Sequence, residues 1–294
     1  MNRSRLHIAK ADIVRHFDAL PRHVFSTKDI QDILTEQRGS WRLAKNTAID
    51  QFVEFLAKHS KLRVYDFPFP QRTAWCYGWG DVPLLAVLMG LKKDLHFSHH
   101  TAMQLHGLAG SRPEAIYLTE ERITGSMTAG PFTQEAIDGA FRKPARTSNN
   151  WVAHEGLQVY LLNGAATGHL GVETTTIPGA SGPEAQVRAT NLERTLIDIT
   201  VKPEYAGGPL KVARAYELAK DRLSIDKLLT TLDRLGFAYP YHQAIGLYLQ
   251  RAEIESSLLD SIRMLPREYD FYIAHNMGDT RYDANWRLHI PADF

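Results

Sequence analysis

Residues 40–77, SWRLAKNTAIDQFVEFLAKHSKLRVYDFPFPQRTAWCY, change their apolar period once, and that change decides how the N-terminal part of the chain folds. Ile49, Phe52, Val53 and Leu56 recur at steps of three, one and three, so residues 40–59 read as a helix with one apolar stripe facing inward. Thr47, Gln51, Glu54 and Lys58 then project from the opposite side. After Ser60 the pattern becomes β-like, because LRVYDF and RTAWCY flank Pro68-Phe69-Pro70-Gln71 as two strands around a turn. Upstream, Ile8, Ile13, Val14, Phe17 and Leu20 mark a first helix stopped by Pro21. Ser26 caps a second helix carrying Ile30, Ile33 and Leu34 and ended by Gly39. Helix, helix, helix and hairpin within residues 1–80 is the order of a winged helix-turn-helix.

In such a fold the third helix enters a major groove and the hairpin touches phosphate, so cationic and amide groups are wanted near the start of that helix. Arg38, Arg42, Lys45, Asn46, Thr47 and Gln51 supply them, with Arg72 at the hairpin. Cations neutralise phosphate, whereas Asn and Gln reach adenine edges bidentately. The same fold also serves as a protein-docking module. Asp50 and Glu54 share the outward face and would repel phosphate, and Lys45 falls nearer the apolar stripe than the outer face. The charge distribution bears on the choice. The whole chain of 294 residues is nearly balanced, with 34 Lys+Arg against 33 Asp+Glu. Residues 1–80 hold 13 and 8 of these, leaving 21 and 25 for residues 81–294. A basic first module beside a mildly acidic second one points to a polyanion partner for the first, although a split of this size also arises on ordinary solvated surfaces.

The length allows two domains, 1–80 and 81–294, each able to bury its own core. Apolar residues at 44% and charged residues at 23% exclude collagen-like, coiled-coil and disordered chains. A lone cysteine, Cys76, excludes an intramolecular disulfide and a Cys-rich zinc site. The basic N-terminus is followed by no apolar signal core, and the run Val82–Leu91 is about half a membrane span, so a soluble, cytoplasmic protein without a membrane partner is expected.

Beyond residue 80, Asp81 and Pro83 open an apolar helix, FSHHTAMQLHGL reads as another, and AIYL as a strand. Residues 122–150 are rich in Gly, Thr, Ser, Asn and Pro, include Arg142, Lys143 and Arg146, and read as a long, mobile excursion. WVAH, LQVYLL and VETTTI are strand-like. ATNLERTLIDITV, PLKVARAYELAK, IDKLLTTLDRLG and YHQAIGLYLQRA are helical, and the tail adds a helix near Ser256–Met264 with strand-like YDFYIA and WRLHI. Strands grouped before helices predict an α+β fold: a winged helix-turn-helix domain followed by a mixed α/β domain.

Thirteen histidines invite an enzymatic reading, but the chemistry does not assemble. His99 and His106 are seven residues apart, too far along a helix to share an ion, and no HExxH is present, which favours a packed, hydrogen-bonded pair. Gly110-Ser111 lacks the downstream Asp-x-Asp of a nucleotidyltransferase, the glycines of NGAATGHLG lack dinucleotide spacing, and there is no P-loop or GxSxG elbow. No catalytic residue, metal ligand or cofactor is therefore assigned.

Two segments do carry a specific pattern. The first, FSHHTAMQLHGL before AIYL, holds Ser98, His99, Thr101, Ala102, His106, Gly107 and Leu108. The second, VRATNLERTLIDITVKPEYAGGPLKVARAYE, holds Leu192, Glu193, Arg194, Thr195, Leu196, Ile197 and Asp198, with Gly207 and Gly208. In this order they resemble the signature stretches of the AbiEi-type antitoxin family of bacterial abortive-infection (type IV toxin–antitoxin) systems. The resemblance covers residues 95–250, with the winged helix in the expected place before it. It implies a transcriptional repressor that binds double-stranded DNA at inverted repeats in its own promoter. It also implies a second domain that counteracts a nucleotidyltransferase-like toxin, functionally if not through a stable complex, and so confers phage resistance. The absence of an Asp-x-Asp pair agrees with the antitoxin rather than the toxin. The excursion at 122–150 and the tail after 254 find no match in the family. Among the signature residues Ser98, His99, His106, Gly107, Glu193, Arg194 and Asp198, a folding role competes with toxin contact: Glu193, Arg194 and Asp198 can form helix-surface pairs, of which only Arg194–Asp198 has helix-favourable spacing, and a buried Arg194–Asp198 pair would instead position the helix. The alternative is a stand-alone winged-helix regulator whose C-terminal domain senses a ligand or protein.

Overall fold

The computed structural model describes residues 4–110, 115–122, 132–179 and 184–294. Among them it has a mixed α+β architecture of 11 α-helices and three sheets. The chain divides into two compact units, Met1–Leu95 with Thr174–Val187, and His96–Glu173 with Arg188–Phe294. The first division falls beyond the expected residue 80.

The first unit begins with α1 (Arg5–Asp18), capped by Ser4, whose inward face is Ala9, Ile13 and Phe17. A short strand, β1 (Val24–Ser26), leads into α2 (Thr27–Gln37). Ser26 and Asp29 exchange side-chain-to-backbone hydrogen bonds across the first turn of α2, which satisfies two otherwise unpaired donors and fixes the start. α3 spans Ile49–His59 rather than starting at residue 40. Trp41 and Leu43 turn into the core, Arg42 adopts a positive φ of 52°, and Arg38 Nη1 donates to the carbonyls of Ala44, Lys45 and Thr47 at 2.8, 3.1 and 3.1 Å. That guanidinium holds residues 38–48 as a folded connection in place of helical turns.

β2 (Leu62–Pro68) and β3 (Thr73–Trp79) form an antiparallel hairpin in the register Leu62↔Trp79 to Pro68↔Thr73. β1 pairs antiparallel with the far side of β3, giving the order β1-β3-β2. Phe17 stacks on Trp79 at 4.6 Å and Trp41 on Phe52 at 5.8 Å, so helices and sheet share one aromatic core. Phe55, outside the stripe read from the sequence, is also buried. α4 (Leu84–Met89) follows as a short helix. Cys76 is buried, its Sγ 3.2 Å from the Val87 carbonyl, and burial pushes its thiol up to about 12.

Downstream come β4 (Leu95–Phe97), α5 (His99–Leu105), β5 (Ala115–Glu121), α6 (Gln134–Phe141), β6 (Trp151–His154), β7 (Leu157–Gly164), β8 (Val172–Ile177) and β9 (Ala185–Thr190). Their sheet has the order β6-β7-β5-β4-β9-β8. β6/β7 is antiparallel, whereas β5/β7 and β4/β9 are parallel, so the sheet is more interleaved with helices than a strands-then-helices reading implies. α6 corrects the expectation of a long excursion at 122–150. Thr133 caps it, Ile137 and Phe141 are buried, and Gln134 exchanges hydrogen bonds with the Asp270 backbone at 2.8 and 2.9 Å. The part of that stretch at 123–131 lies outside the described residues.

The helical layer consists of α7 (Leu192–Val201), α8 (Pro209–Ala219), α9 (Ile225–Leu235), α10 (Tyr241–Arg251) and α11 (Ser256–Arg263), with a 3-10 turn at Pro203–Tyr205. A small sheet closes the chain: β10 (Phe271–Tyr272), β11 (Thr280–Asp283) and β12 (Leu288–Pro291), in the order β10-β12-β11. Its core includes Leu196, Tyr216, Tyr248, Phe271 and Trp286. Gln243 is buried and donates to the carbonyls of Tyr269, Trp286 and Arg287, which ties α10 to the terminal strands.

Candidate functional site

Two groups of residues carry chemistry, one in each unit. In the first unit the residues expected to meet a nucleic acid fall on the connection before α3, on its first turn, and on the β2–β3 turn. Arg42, Lys45, Asn46 and Gln51 are exposed, and Thr47 is half-buried. Arg72 is exposed in the hairpin turn, where its N–H donates to the Phe69 carbonyl at 3.1 Å. Arg38 differs, because its guanidinium is engaged by the three carbonyls described above and holds the segment that bears Lys45 and Thr47.

Of the unit's other cations four are paired, whereas Arg5, Lys10, Lys28 and Lys58 are exposed and enter no ion pair among the described residues. Arg15, Arg22, Lys61 and Arg63 are paired with Asp12, Asp29, Asp18 and Asp81. Among the described residues Arg42, Lys45 and Arg72 enter no such pair. The N-cap of α3, Ala48, offers no side-chain oxygen, so the first-turn N–H groups of α3 have no side-chain cap; Asp50 stands in that turn. A cleft of about 1370 Å³ in the same unit is lined by Lys28, Lys61, Asp18 and Asp29. Burial opposes ionisation of Asp29, but Ser26 and the Arg22 guanidinium outweigh it and hold its carboxyl below the usual range.

In the second unit the signature residues form a polar seam around α5 and α7. Ser98 Oγ is within 2.8 Å of His99 Nδ1 and 2.7 Å of Thr119 Oγ1, and His99, at a φ of 49°, packs edge-on against Tyr205 at 5.1 Å. His106 Nε2 lies 2.7 Å from the Thr190 carbonyl, so the two histidines bond separately rather than with each other. Gly107 ends α5 at a φ of 71°, the left-handed conformation that lets Leu108 N–H reach the Met103 carbonyl at 2.8 Å.

On α7, Arg194 Nε donates to Asp198 Oδ1 at 2.7 Å, and its Nη1 to the Leu170 carbonyl at 2.9 Å. The side chains of this pair are 11% and 10% exposed, so the pair is interior rather than on the helix surface. Glu193 is buried too and takes its partner from α9: Lys227 Nζ stands 3.2 Å from it, and Ser224 N–H donates to it at 3.3 Å.

Sequence reasoning missed the neighbours that complete the seam. His96 on β4 is fully buried with Nδ1 unpaired, and its ring meets His169 at 6.0 Å. Burial pushes both His96 and His99 down to about 4. Burial also works against ionisation of Glu121, yet Thr167 and the N–H of His169 overcome it and hold the carboxyl below its usual range. An isolated histidine in LHF and the second of two adjacent acids ending a strand carry no spacing signal by which they could have been found. Among the described residues no group of three or more His, Cys, Asp and Glu side chains is placed to hold a metal ion, and no helix is long and apolar enough to cross a membrane.

No protein-family model matches the chain, and no curated protein matches it. Among solved structures it is similar to the crystal structure of the RV2827C protein from Mycobacterium tuberculosis. The two share 13% identity at a TM-score of 0.55, over 96% of this chain and 91% of that one. The likeness is one of fold.

Proposed function

We propose that the first unit is a winged helix-turn-helix that binds double-stranded DNA, and that the chain is the antitoxin and autorepressor of a type IV toxin–antitoxin system, acting in the cytoplasm without catalysis or a cofactor. The observation that carries the DNA-binding half is the coincidence of topology and charge. The order α1-β1-α2-α3-β2-β3 with a β1-β3-β2 sheet presents α3 and a hairpin, and Arg42 and Lys45 before α3 and Arg72 at the hairpin turn are exposed cations that, like Arg5, Lys10, Lys28 and Lys58, enter no ion pair among the described residues. In this reading Arg42, Lys45 and Arg72 meet phosphate, Asn46, Thr47 and Gln51 face base edges, and Arg38 is a positioning residue. The antitoxin half is supported by the two signature segments, whose residues build the polar seam around α5 and α7.

The full chain should bind duplex DNA carrying inverted repeats from upstream of its own reading frame. Arg42→Ala/Lys45→Ala should weaken that binding and reduce the salt slope by about two units, roughly 0.9 per phosphate contact. Binding that ignored both salt and repeat sequence would overturn the repressor reading. For the antitoxin reading, the full chain should rescue growth of cells expressing the adjacent nucleotidyltransferase-like gene, and the double variant should rescue equally while losing repression. Failure of the wild-type chain to rescue, or the absence of such a gene beside it, would leave a stand-alone regulator as the better account.

A further inference from the structure

The edge of the largest sheet carries three aromatic side chains in one row. Trp151 on β6 lies opposite Tyr160 on β7, and Tyr160 lies opposite Tyr117 on β5. Residues directly opposite on neighbouring strands point to the same face. Tyr160 stacks on Tyr117 with centroids 5.1 Å apart and planes 21° from parallel, and Trp151 tilts 37° from Tyr160 at 6.2 Å. The inner end of the row is closed by Tyr205, 5.1 Å from Tyr117. Its outer end is open: Trp151 stands on the edge strand with 38% of its surface exposed, and Ala153 and Gln158 on the same face are exposed as well.

Beside this row runs residues 142–150, held in place although it has no regular structure. Lys202 Nζ reaches the Arg146 carbonyl at 3.4 Å, Ser148 N–H donates to Tyr205 Oη at 2.7 Å, and Asn150 Nδ2 to the Leu161 carbonyl at 2.9 Å. Upstream of Ser148 the same segment carries Arg142, Lys143 and Arg146, all exposed. Arg142 stands 3.9 Å from Asp138, but among the described residues Lys143 and Arg146 enter no ion pair. An exposed ring at the end of an anchored cationic segment has the two elements that unpaired nucleotides need: a π-surface for bases and charge for phosphates. A duplex buries its base faces and cannot use the rings. Gln158, Thr147 and Asn149, all exposed, add amide and hydroxyl groups of the kind that meet a 2′-hydroxyl.

We propose that this face binds single-stranded RNA, with a base stacked on Trp151 and the backbone running toward Arg146 and Lys143. The site is separate from the DNA-binding surface proposed for the first unit and does not rest on it. The test is fluorescence anisotropy of the full chain with a labelled single-stranded RNA of about ten nucleotides, its DNA counterpart and the corresponding RNA duplex, at low and moderate salt. Saturable binding is expected, tightest for the single-stranded RNA. Trp151→Ala should weaken it about tenfold or more, whereas Trp151→Phe, which keeps a stacking face, should stay within about threefold of wild type. Lys143→Ala/Arg146→Ala should lower the salt slope by about 1.4, roughly 0.7 per contact on a single strand. Arg42→Ala/Lys45→Ala should leave RNA binding unchanged. Absence of saturable binding, equal affinity for the DNA strand or the duplex, or indifference to the Lys143/Arg146 pair in a chain with unaltered circular dichroism would each overturn the proposal. Should Trp151→Ala fail to fold, the Trp151→Phe and Lys143/Arg146 variants decide it.

Discussion

Arg194 shows how far local spacing can be trusted at a single position. Its pairing with Asp198 four residues on is the helix-favourable one, and the structure has it, but in the interior and with the Leu170 carbonyl taking a second guanidinium bond. Burial changes the energetics. Asp198→Asn or Arg194→Met leaves a desolvated charge facing a neutral group, which costs on the order of 3–5 kcal/mol, whereas an exposed pair of the same spacing contributes under about 1 kcal/mol. Urea denaturation of either variant should therefore show a large drop in midpoint. A change of a few tenths of a kcal/mol would place the pair at the surface. Glu193 was not legible in the same way. Its partner Lys227 lies on another helix, and no periodicity within α7 encodes a contact that exists only once α9 packs against it.

At the scale of elements, helices with a clear apolar stripe and a capping residue were legible: α2 begins at Ser26, and α8 through α11 fall where their three- and four-residue spacings put them. Short strands were legible only in part, β6, β10 and β12 in WVAH, YDFYIA and WRLHI but not others. β1, β4 and β9 are three to six residues long, and the last two residues of β9, Ala189 and Thr190, fall within the helical reading of the segment that follows it. α6 escaped because only Ile137 and Phe141 face inward and Gly139 sits between them. Glycine in a helix makes a pair of opposite predictions. In α10 a Cβ on Gly246 would overlap the ring of Trp286, which is held by its Nε1 donating to Gln250 at 2.7 Å and its N–H to Asp283 at 2.9 Å. Gly246→Ala should thus destabilise by about 3 kcal/mol or more, because overpacking against a rigid ring exceeds the helix-propensity gain of about 1 kcal/mol. In α6 nothing lies within 4 Å of a Cβ on Gly139, so Gly139→Ala keeps that gain and should stabilise by about 0.5–1 kcal/mol. Thermal unfolding of the two variants checks both signs at once, and shifts in the same direction would contradict the packing described for Trp286.

Across the whole molecule the two units have different titrating interiors, a difference that no count of histidines reveals. In the first unit the buried or paired groups with resolved carboxylate shifts are Asp18 and Asp29, both lowered: Asp18 by hydrogen bonds from Lys61 and Trp79, Asp29 by those from Ser26 and Arg22 against the effect of burial. Their contribution is present above the ordinary carboxylate range and is lost only as pH falls below it. In the second unit burial lowers His96 and His99 to about 4 from 6.5 and also lowers His242. Between about pH 6.5 and 4 the unfolded chain then binds protons at these positions that the folded chain does not, so folding stability rises with pH across that window and falls on acidification. The slope is at most about 1.4 kcal/mol per pH unit for each fully titrating histidine. Acidifying from pH 7.5 to 5 should accordingly lower the urea midpoint of the second unit, where three histidines are lowered, more than that of the first, where desolvation and His7 lower His59 alone. Pulsed hydrogen–deuterium labelling at one fixed pH, after equilibration at each test pH, resolves α5 and α7 from α1 and α3. His96→Gln, which cannot titrate, should flatten the pH dependence of the second unit without abolishing it, since His99 and His242 remain. Equal acid sensitivity in both units, or none in the second, would mean that these histidines are solvated in the folded protein and that the polar seam is more open than its geometry indicates.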